Sequence, residues 1–588
     1  MEIFLSSQSS QFSGFGLSDL EDENDSPGSV SPPSSVRTSD LSFDEESEVG
    51  SDLSDRNPDS DIEEDNDELP DSDGEFESQL SEIPSSQLTS VSDDDFWSEQ
   101  LEDIEIPDFN EMTGPVHMLP LNAQAVDFFQ LFFEERFFQH LSEQTNLYAE
   151  QTSENDQHWE EVTTDEIKAF IGINILMGVM QLASYRLYWS SDPFLGNTGI
   201  RSVMTENRFS KLYQYIHVNN NQTAVPRDTE GFDKLHKVRP IINMVDHTFK
   251  DHYKPKQNQT VDEAMVKYKG RFSIKQYMPG KPIKRGMKVW MRADSTSGYC
   301  HQFNVYMGKD DPNKGPKLGE KVVKLLCKDL KWKGHHIYMD RYFTSVPLFR
   351  CLERNGIYGC GTIKCTAVGL PEDITDPPRM ARGESIARQN GNLVATVWQD
   401  KKKVHFLSTN SNPTGEGSTF RRLKNGTRIE INRSPPVEGY HNYMGGVDRN
   451  NQLRAKTPVG RPAKKWWKYL FFHIINLCIT NAFIVMNESV GYQSRKKRYS
   501  LLDFRIDIAK QLIGNFTKRN RRIVNQQPNN NHVSVRLNRT KRRCKWCTKQ
   551  GEKKRKETVY GCSNCNIHLC RESCFEHYHQ QHGLPFAI

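Results

Sequence analysis

The chemistry written most plainly into this chain of 588 residues is metal ligation near its C-terminal end. Residues 544–574 read C-x2-C-x14-C-x2-C-x4-C-x3-C, and His577, His579 and His582 follow closely. Two CxxC pairs with further thiols and imidazoles supply enough soft ligands for two tetrahedral Zn2+ ions. A cross-braced arrangement pairs Cys544 and Cys547 with Cys570 and Cys574. It leaves Cys562 and Cys565 to two of the histidines, with His568 a further candidate. A segment this short and this poor in apolar residues needs metal to fold stably. No ligand position is left open for a substrate, so the sites read as structural. The other six cysteines, from Cys300 to Cys478, show no pairing pattern. That argues against a disulfide framework and for a reducing compartment.

A second chemistry is carried by three aspartates far apart in the chain. In GHHIYMDRYFTSVPL (334–348), a short apolar strand delivers Asp340 to its C-terminal end. A turn follows, and then a helix capped by Thr344 or Ser345 with Pro347 in its first turn. Open α/β sheets place their chemistry at such strand ends. Asp262 falls early in a strand that starts near Thr260, and Asp448 on a helix that starts near Gly446. Three converging carboxylates offer the hard oxygens that Mg2+ (or Mn2+) prefers. Two such ions can activate a water, stabilise a leaving oxygen and neutralise a phosphate, which is what phosphodiester cleavage requires.

Elements of the right kind stand around these residues. Residues 1–110 are rich in Ser, Asp, Glu and Pro and read as a disordered acidic tail. Ser92, ahead of three aspartates, resembles an acid-directed phosphorylation site. Residues 111–255 carry helical periodicity, including AQAVDFFQLFFEERFF and a helix opened by Thr163 and Thr164. From 256 to 365 the order is a strand, a hairpin, an amphipathic helix, the Asp340 strand, a helix and a further strand. This order describes a mixed sheet with helices on its faces and is compatible with an RNase H-like fold, where the first and central strands lie side by side. Residues 366–433 read as a β-rich insertion and 434–455 as the return to the core. Residues 456–525 form a second basic helical part, 526–540 a linker and 541–588 the zinc-binding domain.

Charge divides the chain. Residues 1–110 hold 33 acidic and 2 basic side chains, leaving 44 acidic and 74 basic in the remainder. A basic body of this size implies a polyanionic partner, above all nucleic acid. Arg454, Lys456, Lys464 and Lys465 beside Trp466 and Trp467 suit a DNA groove, as do Lys541, Arg542 and Arg543 beside the zinc ligands. The apolar run 469–486 contains His473, Asn476, Thr480 and Asn481, so it reads as a buried helix rather than a membrane span.

The sequence resembles the piggyBac family of DNA transposases from about residue 112 to its end. The likeness is carried together by VDEAMVKYKGR, MDRYFTSVPLF, YMGGVDRNNQ, the tryptophan before INLCITNAF and the Cys/His module. The resemblance implies an RNase H-like catalytic core with an insertion, flanked by a helical dimerisation and DNA-binding domain built from two segments. It implies Asp262, Asp340 and Asp448 as catalytic residues, two Mg2+ per active site, and Trp466 near that site. It also implies a homodimer acting in the nucleus on double-stranded DNA, with excision through hairpin ends, integration at TTAA and a zinc module that binds terminal repeats. One departure stands out: Asn451 occupies a position where family members often carry a second Asp. The alternative reading is therefore a domesticated relative, DNA-binding but catalytically weak.

Overall fold

The computed structural model describes residues 96–588 apart from 153–158, 228, 309–316, 423–425, 493–498, 519–531, 538–539, 550–555, 572, 585 and 588. Ser92, most of the acidic tail and the basic runs at 494–498, 519–522 and 553–555 lie outside the described residues.

A helical layer is built from two parts of the chain. The first supplies α1 (Glu135–Thr152), α2 (Thr164–Val179), α3 (Glu206–Tyr215) and α4 (Arg239–Asp251). Thr163 starts α2 by accepting a hydrogen bond from the Glu166 N–H. The second part supplies α9 (Trp466–Glu488) and α10 (Leu501–Ile513). Between α2 and α10 the backbones come so close that a Cβ on Gly172 would lie 2.7 Å from the Ala509 carbonyl. Helix α9 is apolar on all sides and largely buried, with Asn476, Thr480 and Asn481 hydrogen-bonded inside the protein.

The sheet comprises β1 (Asn258–Lys267), β2 (Lys275–Tyr277), β3 (Arg285–Asp294), β4 (Cys300–Val305), β5 (His336–Met339), β6 (Tyr358–Ile363), β7 (Ser385–Asn390), β8 (Leu393–Gln399) and β9 (Lys403–Ser408). Among the described residues these nine strands form one sheet. At its heart the spatial order is β4-β3-β1-β5-β6, with β1, β5 and β6 parallel and the β3–β4 hairpin antiparallel. This is the RNase H-like arrangement expected from the element order. One face packs on the helical layer, with Met287, Val289 and Met291 in the same core as Phe471 and Ile475. The other is covered by α5 (Leu318–Leu326) and α6 (Val346–Glu353). Ser345, of the two candidates, caps α6.

Two expected boundaries need correction. Residues 366–433 are β-rich, but β7, β8 and β9 continue the central sheet beyond β6 instead of standing apart. Among the described residues of this span, only the hairpin of β10 (Gly417–Arg422) and β11 (Arg428–Arg433) is separate. In addition, the acidic tail does not run unstructured to residue 110. Trp97 Nε1 donates to the Gly369 carbonyl (3.0 Å), Ser98 pairs with Gln389 of edge strand β7, and the Glu102 N–H donates to Gln389 Oε1 (2.8 Å). Trp97 packs against the sheet core and Phe109 stacks edge-on against His335, so a few apolar anchors hold a segment whose average composition is that of a tail.

Helices α7 (Pro435–Tyr443) and α8 (Gly446–Ala455) return the chain to the first strand. The C-terminal module contains β12 (His532–Arg536), β13 (Tyr560–Cys562), β14 (Ile567–His568) and α11 (Ser573–Gln581).

Candidate active site and zinc module

The parallel register of β1 and β5 pairs Val261 with Met339, so the next residue on each strand is an aspartate: Asp262 on β1 and Asp340 just past β5. The two carboxylates therefore leave neighbouring strands at the same height. Asp340 Oδ1 accepts the Tyr342 N–H (2.9 Å), which fixes the carboxylate in the turn. Asp262 Oδ1 accepts the Glu263 N–H (2.8 Å).

Asp448 enters in the first turn of α8, where a helix N-terminus favours negative charge. The start of α8 is clamped to β1. Thr260 Oγ1 donates to the Tyr443 carbonyl (2.7 Å) and accepts the Gly446 N–H (3.2 Å). Gly446 is required by proximity, since a Cβ there would lie 2.6 Å from the Asp294 carbonyl. Further along, Asn450 Nδ2 donates to the Gly298 carbonyl in the β3–β4 turn (2.8 Å).

The cluster holds more charge than the three aspartates alone. Glu263 is buried beside them, and Lys281 Nζ lies 2.9 Å from Glu263 Oε1 and 3.9 Å from Asp262 Oδ2. Lys288 Nζ lies 3.8 Å from Glu263 Oε2. Burial pushes the Asp262 carboxyl up to about 8, with Glu263 and Asp340 adding to the rise and Lys281 opposing it. Burial also raises Asp340, as does Glu263, while the Tyr342 N–H, Lys281 and Lys288 act against the shift. Burial works against the Lys281 charge, but Asp262, Glu263 and Asp448 together raise its pKa. The carboxylates repel one another, so positive charge placed among them is favoured. Nothing in the sequence pattern singled out Glu263, Lys281 or Lys288. Glu263 could have been noticed as the acid next to Asp262, but Lys281 approaches only through a hairpin tip.

The residues read as DNA contacts fall into two sets. Lys456, Lys464, Lys465, Lys541, Arg542 and Arg543 are exposed. Trp466 is half-buried and stacks on Phe272, with ring centroids 4.1 Å apart. Trp467 is buried in the core. Arg454 is a correction: it is not a surface cation but a buried one, 8% exposed. Its guanidinium donates to Asn450 Oδ1 (2.7 Å) and Asn451 Oδ1 (2.6 Å) and meets His473 Nδ1 (3.2 Å). A cation one helical turn beyond Asn450 points back into the packing between α8 and α9. Asn451 is thus occupied as the acceptor for Arg454.

In the zinc module the ligand atoms gather into two groups, each within 4.8 Å: Cys544, Cys547, Cys570 and Cys574, and His532, Cys562, Cys565 and His579. The first is the expected cross-brace. In the second, His532 Nδ1 lies 3.2 Å from both Cys562 Sγ and Cys565 Sγ. His579 Nε2 lies 3.6 Å from Cys565 Sγ, while its Nδ1 bonds the Phe575 carbonyl, which sets the ring's orientation. One set of four thiols and one of two thiols with two imidazoles are soft, tetrahedral donor sets that fit Zn2+.

His577 and His582 are corrected: both are exposed and bond helix carbonyls, of Ser573 and Tyr578 respectively. At about 100° per residue, His577 and His579 face opposite sides of α11, so only one can meet the thiolates. His568 bonds the Thr558 carbonyl. The segment read as a linker, 526–540, supplies the missing ligand on β12. The alternation His532-Val533-Ser534-Val535-Arg536 was the strand signal that could have revealed it.

Comparison with known proteins agrees with this construction. The Transposase IS4 family (DDE_Tnp_1_7) matches residues 124–483, and the DDE_Tnp_1-like zinc finger family matches residues 527–580. Human PiggyBac transposable element-derived protein 5 is 30% identical over 435 residues, covering 71% of this chain and 81% of that protein. The chain belongs to the piggyBac transposase family. Within that family, human PiggyBac transposable element-derived protein 2 is 27% identical over 391 residues, 64% of each chain. A piggyBac transposase solved in a synaptic complex with hairpin DNA superposes with a TM-score of 0.59 at 25% identity, covering 69% of this chain and 83% of that one. The family's zinc-finger region spans both His532 and His579, so it contains both ligand sets up to these histidines.

Proposed function

We propose that this chain is a DNA transposase that cuts and joins DNA ends using Mg2+ (or Mn2+), with Asp262, Asp340 and Asp448 as its catalytic carboxylates. The observation that carries the reading is the Val261–Met339 register, which sets Asp262 and Asp340 side by side, with α8 clamped onto the same strand. Two divalent ions held by these carboxylates would supply an activated water and charge neutralisation at a phosphodiester. The protein's own part is positioning. The Tyr342 N–H orients Asp340, the Glu263 N–H orients Asp262, and the Thr260–Tyr443–Gly446 contacts seat the helix bearing Asp448. Exposed Lys464 and Lys465 beside Trp466, and Lys541 to Arg543 beside the zinc module, suit contact with the phosphate backbone.

The neighbour solved with hairpin DNA supports double-stranded DNA as partner and excision through hairpin ends. Nuclear action as a homodimer, TTAA integration and binding of terminal repeats by the zinc module belong to the same reading. A strand-cleavage assay on bound DNA ends tests it. Asp340→Asn should lower cleavage by at least about a thousandfold while leaving DNA affinity within about twofold. Unchanged cleavage would sink the assignment.

A second reading has its own observation. Asn451 is engaged by Arg454 and offers no charge to a metal, which favours a DNA-binding protein with weakened catalysis. Seamless excision of a TTAA-flanked element in cells supports the first reading. Binding of the same ends without excision supports the second.

A further inference from the structure

The acid cluster contains a cation of its own. Lys281 sits at the tip of the β2–β3 hairpin, where the Met278 N–H donates to the Lys284 carbonyl (2.8 Å) and the Lys281 N–H to the Met278 carbonyl (3.2 Å). Its neighbours Pro279, Gly280, Pro282 and Lys284 are exposed, yet the Lys281 side chain turns inward and is only 31% exposed. A lysine on a surface hairpin ordinarily extends its ammonium into water. This one meets Glu263 at 2.9 Å and Asp262 at 3.9 Å. Its charge also couples to Asp448 and to Asp340. Lys281 thus pairs directly with Glu263 and Asp262, and its charge is felt at Asp340 and Asp448.

We propose that Lys281 is a built-in placeholder cation that holds the acid cluster together in the metal-free protein and gives way when divalent ions bind. Lysine and metal compete for the same carboxylates. The inference rests on the metal reading above. An ammonium neutralises part of the repulsion but carries one charge and imposes no coordination geometry, so a divalent ion satisfies the carboxylate oxygens better.

The architecture suits the exchange. The hairpin tip is open to solvent on one side, since Gly280 is exposed and a Cβ added there would meet nothing within 4 Å. Glu263 keeps a partner when Lys281 leaves. Lys288 lies on its other oxygen and is itself anchored over the Trp290 ring, 3.8 Å from the centroid, and the Tyr342 ring at 4.9 Å.

The test is Mn2+ binding to the zinc-loaded full chain, read by the paramagnetic resonance signal of free Mn2+ and by the Mn2+-induced rise in melting temperature. Lys281→Gln should bind Mn2+ on the order of tenfold tighter than wild type, as expected when a competing charge is removed. Without metal it should melt lower than wild type, and the difference should close as Mn2+ is added. Lys281→Arg, which keeps the charge, should stay near wild type. Equal or weaker Mn2+ binding by Lys281→Gln, with wild-type binding abolished by Asp340→Asn, would overturn the placeholder role alone. Wild-type binding that Asp340→Asn leaves untouched would overturn the metal reading and the placeholder with it.

Discussion

Gly446 and Arg454 show how single residues hold the third aspartate in place. A methyl group at Gly446 would press against the Asp294 carbonyl and against the Thr260 hydroxyl that seats α8 on the sheet. Gly446→Ala should cost about 1–3 kcal/mol of stability through overpacking. Cleavage should fall further than stability does, because Asp448 rides on the displaced helix; melting and cleavage measured on one preparation check this. Arg454 and Arg505 are both buried without a carboxylate partner among the described residues, and Arg505 Nη2 donates to Asn476 Oδ1 (2.6 Å). Burial pushes the Arg454 guanidinium down to about 10 and Arg505 down to about 9, with the Arg454 charge adding to the latter shift. Asn451→Asp would give Arg454 a charged acceptor, and should stabilise the protein by about 1 kcal/mol, the order of a charge-assisted hydrogen bond over a neutral one. A lower melting temperature for this variant would show that Arg454 is content with neutral acceptors.

Among the elements, the zinc module gives the sharpest contrast. His532→Ala should reduce bound zinc from two ions to one and loosen the pairing of β12 with β13, whereas His577→Ala should retain both ions. Metal counting by native mass spectrometry separates the two outcomes. The same module shows what sequence can reveal. The four-thiol set was legible because CxxC spacing is local, and its members lie within one short stretch. His532 was not, because it lies 30 residues before Cys562 and only strand pairing brings it there. The strands bearing Asp262 and Asp340 and helix α8 were legible for a similar reason: alternating apolar residues, the Ser345 cap and the paired glycines at 445–446 are short-range signals. Arg454 was misread because a basic residue in a basic stretch looks solvated, and only the acceptors on α8 and the packing against α9 reveal that it is buried. The sheet continuation through β7 to β9 was missed because edge pairing is a long-range choice that local pattern does not encode.

At the scale of the whole molecule, acid should unfold the protein early. His217 is held down at about 3, and His335 and His336 at about 4, by burial above all. Burial likewise holds His301 and His473 well below the usual range. These five stay neutral in the folded state while the unfolded chain takes up their protons below about pH 6.5, so stability is present at neutral pH and lost on acidification. Near pH 5 each contributes a loss of up to about 2 kcal/mol at 1.36 kcal/mol per pKa unit. Asp262 and Asp340, with their raised carboxyls, work in the opposite direction but are two groups against five. Melting temperature should therefore fall steadily from pH 7 to about pH 5, and a flat profile would contradict the burial of these imidazoles. The segment 96–110 makes a second prediction at this scale. Removing residues 1–95 should leave melting unchanged, whereas removing 1–110 uncovers edge strand β7 and should lower it and promote aggregation.

The parallel register of β1 with β5 also bears on how the protein is made. Asp262 and Asp340 become neighbours only when strands from distant parts of the chain pair, and Asp448 joins them only after further strands have been added to the sheet and α8 has docked on the first. A ribosome-bound chain therefore cannot bring the three acids together until most of the sheet has been synthesised, and a chain cut short before α8 never does. If the three acids do cleave DNA, the fold makes that hazard all-or-none: unfinished copies are inert, and only a completed molecule can break a chromosome.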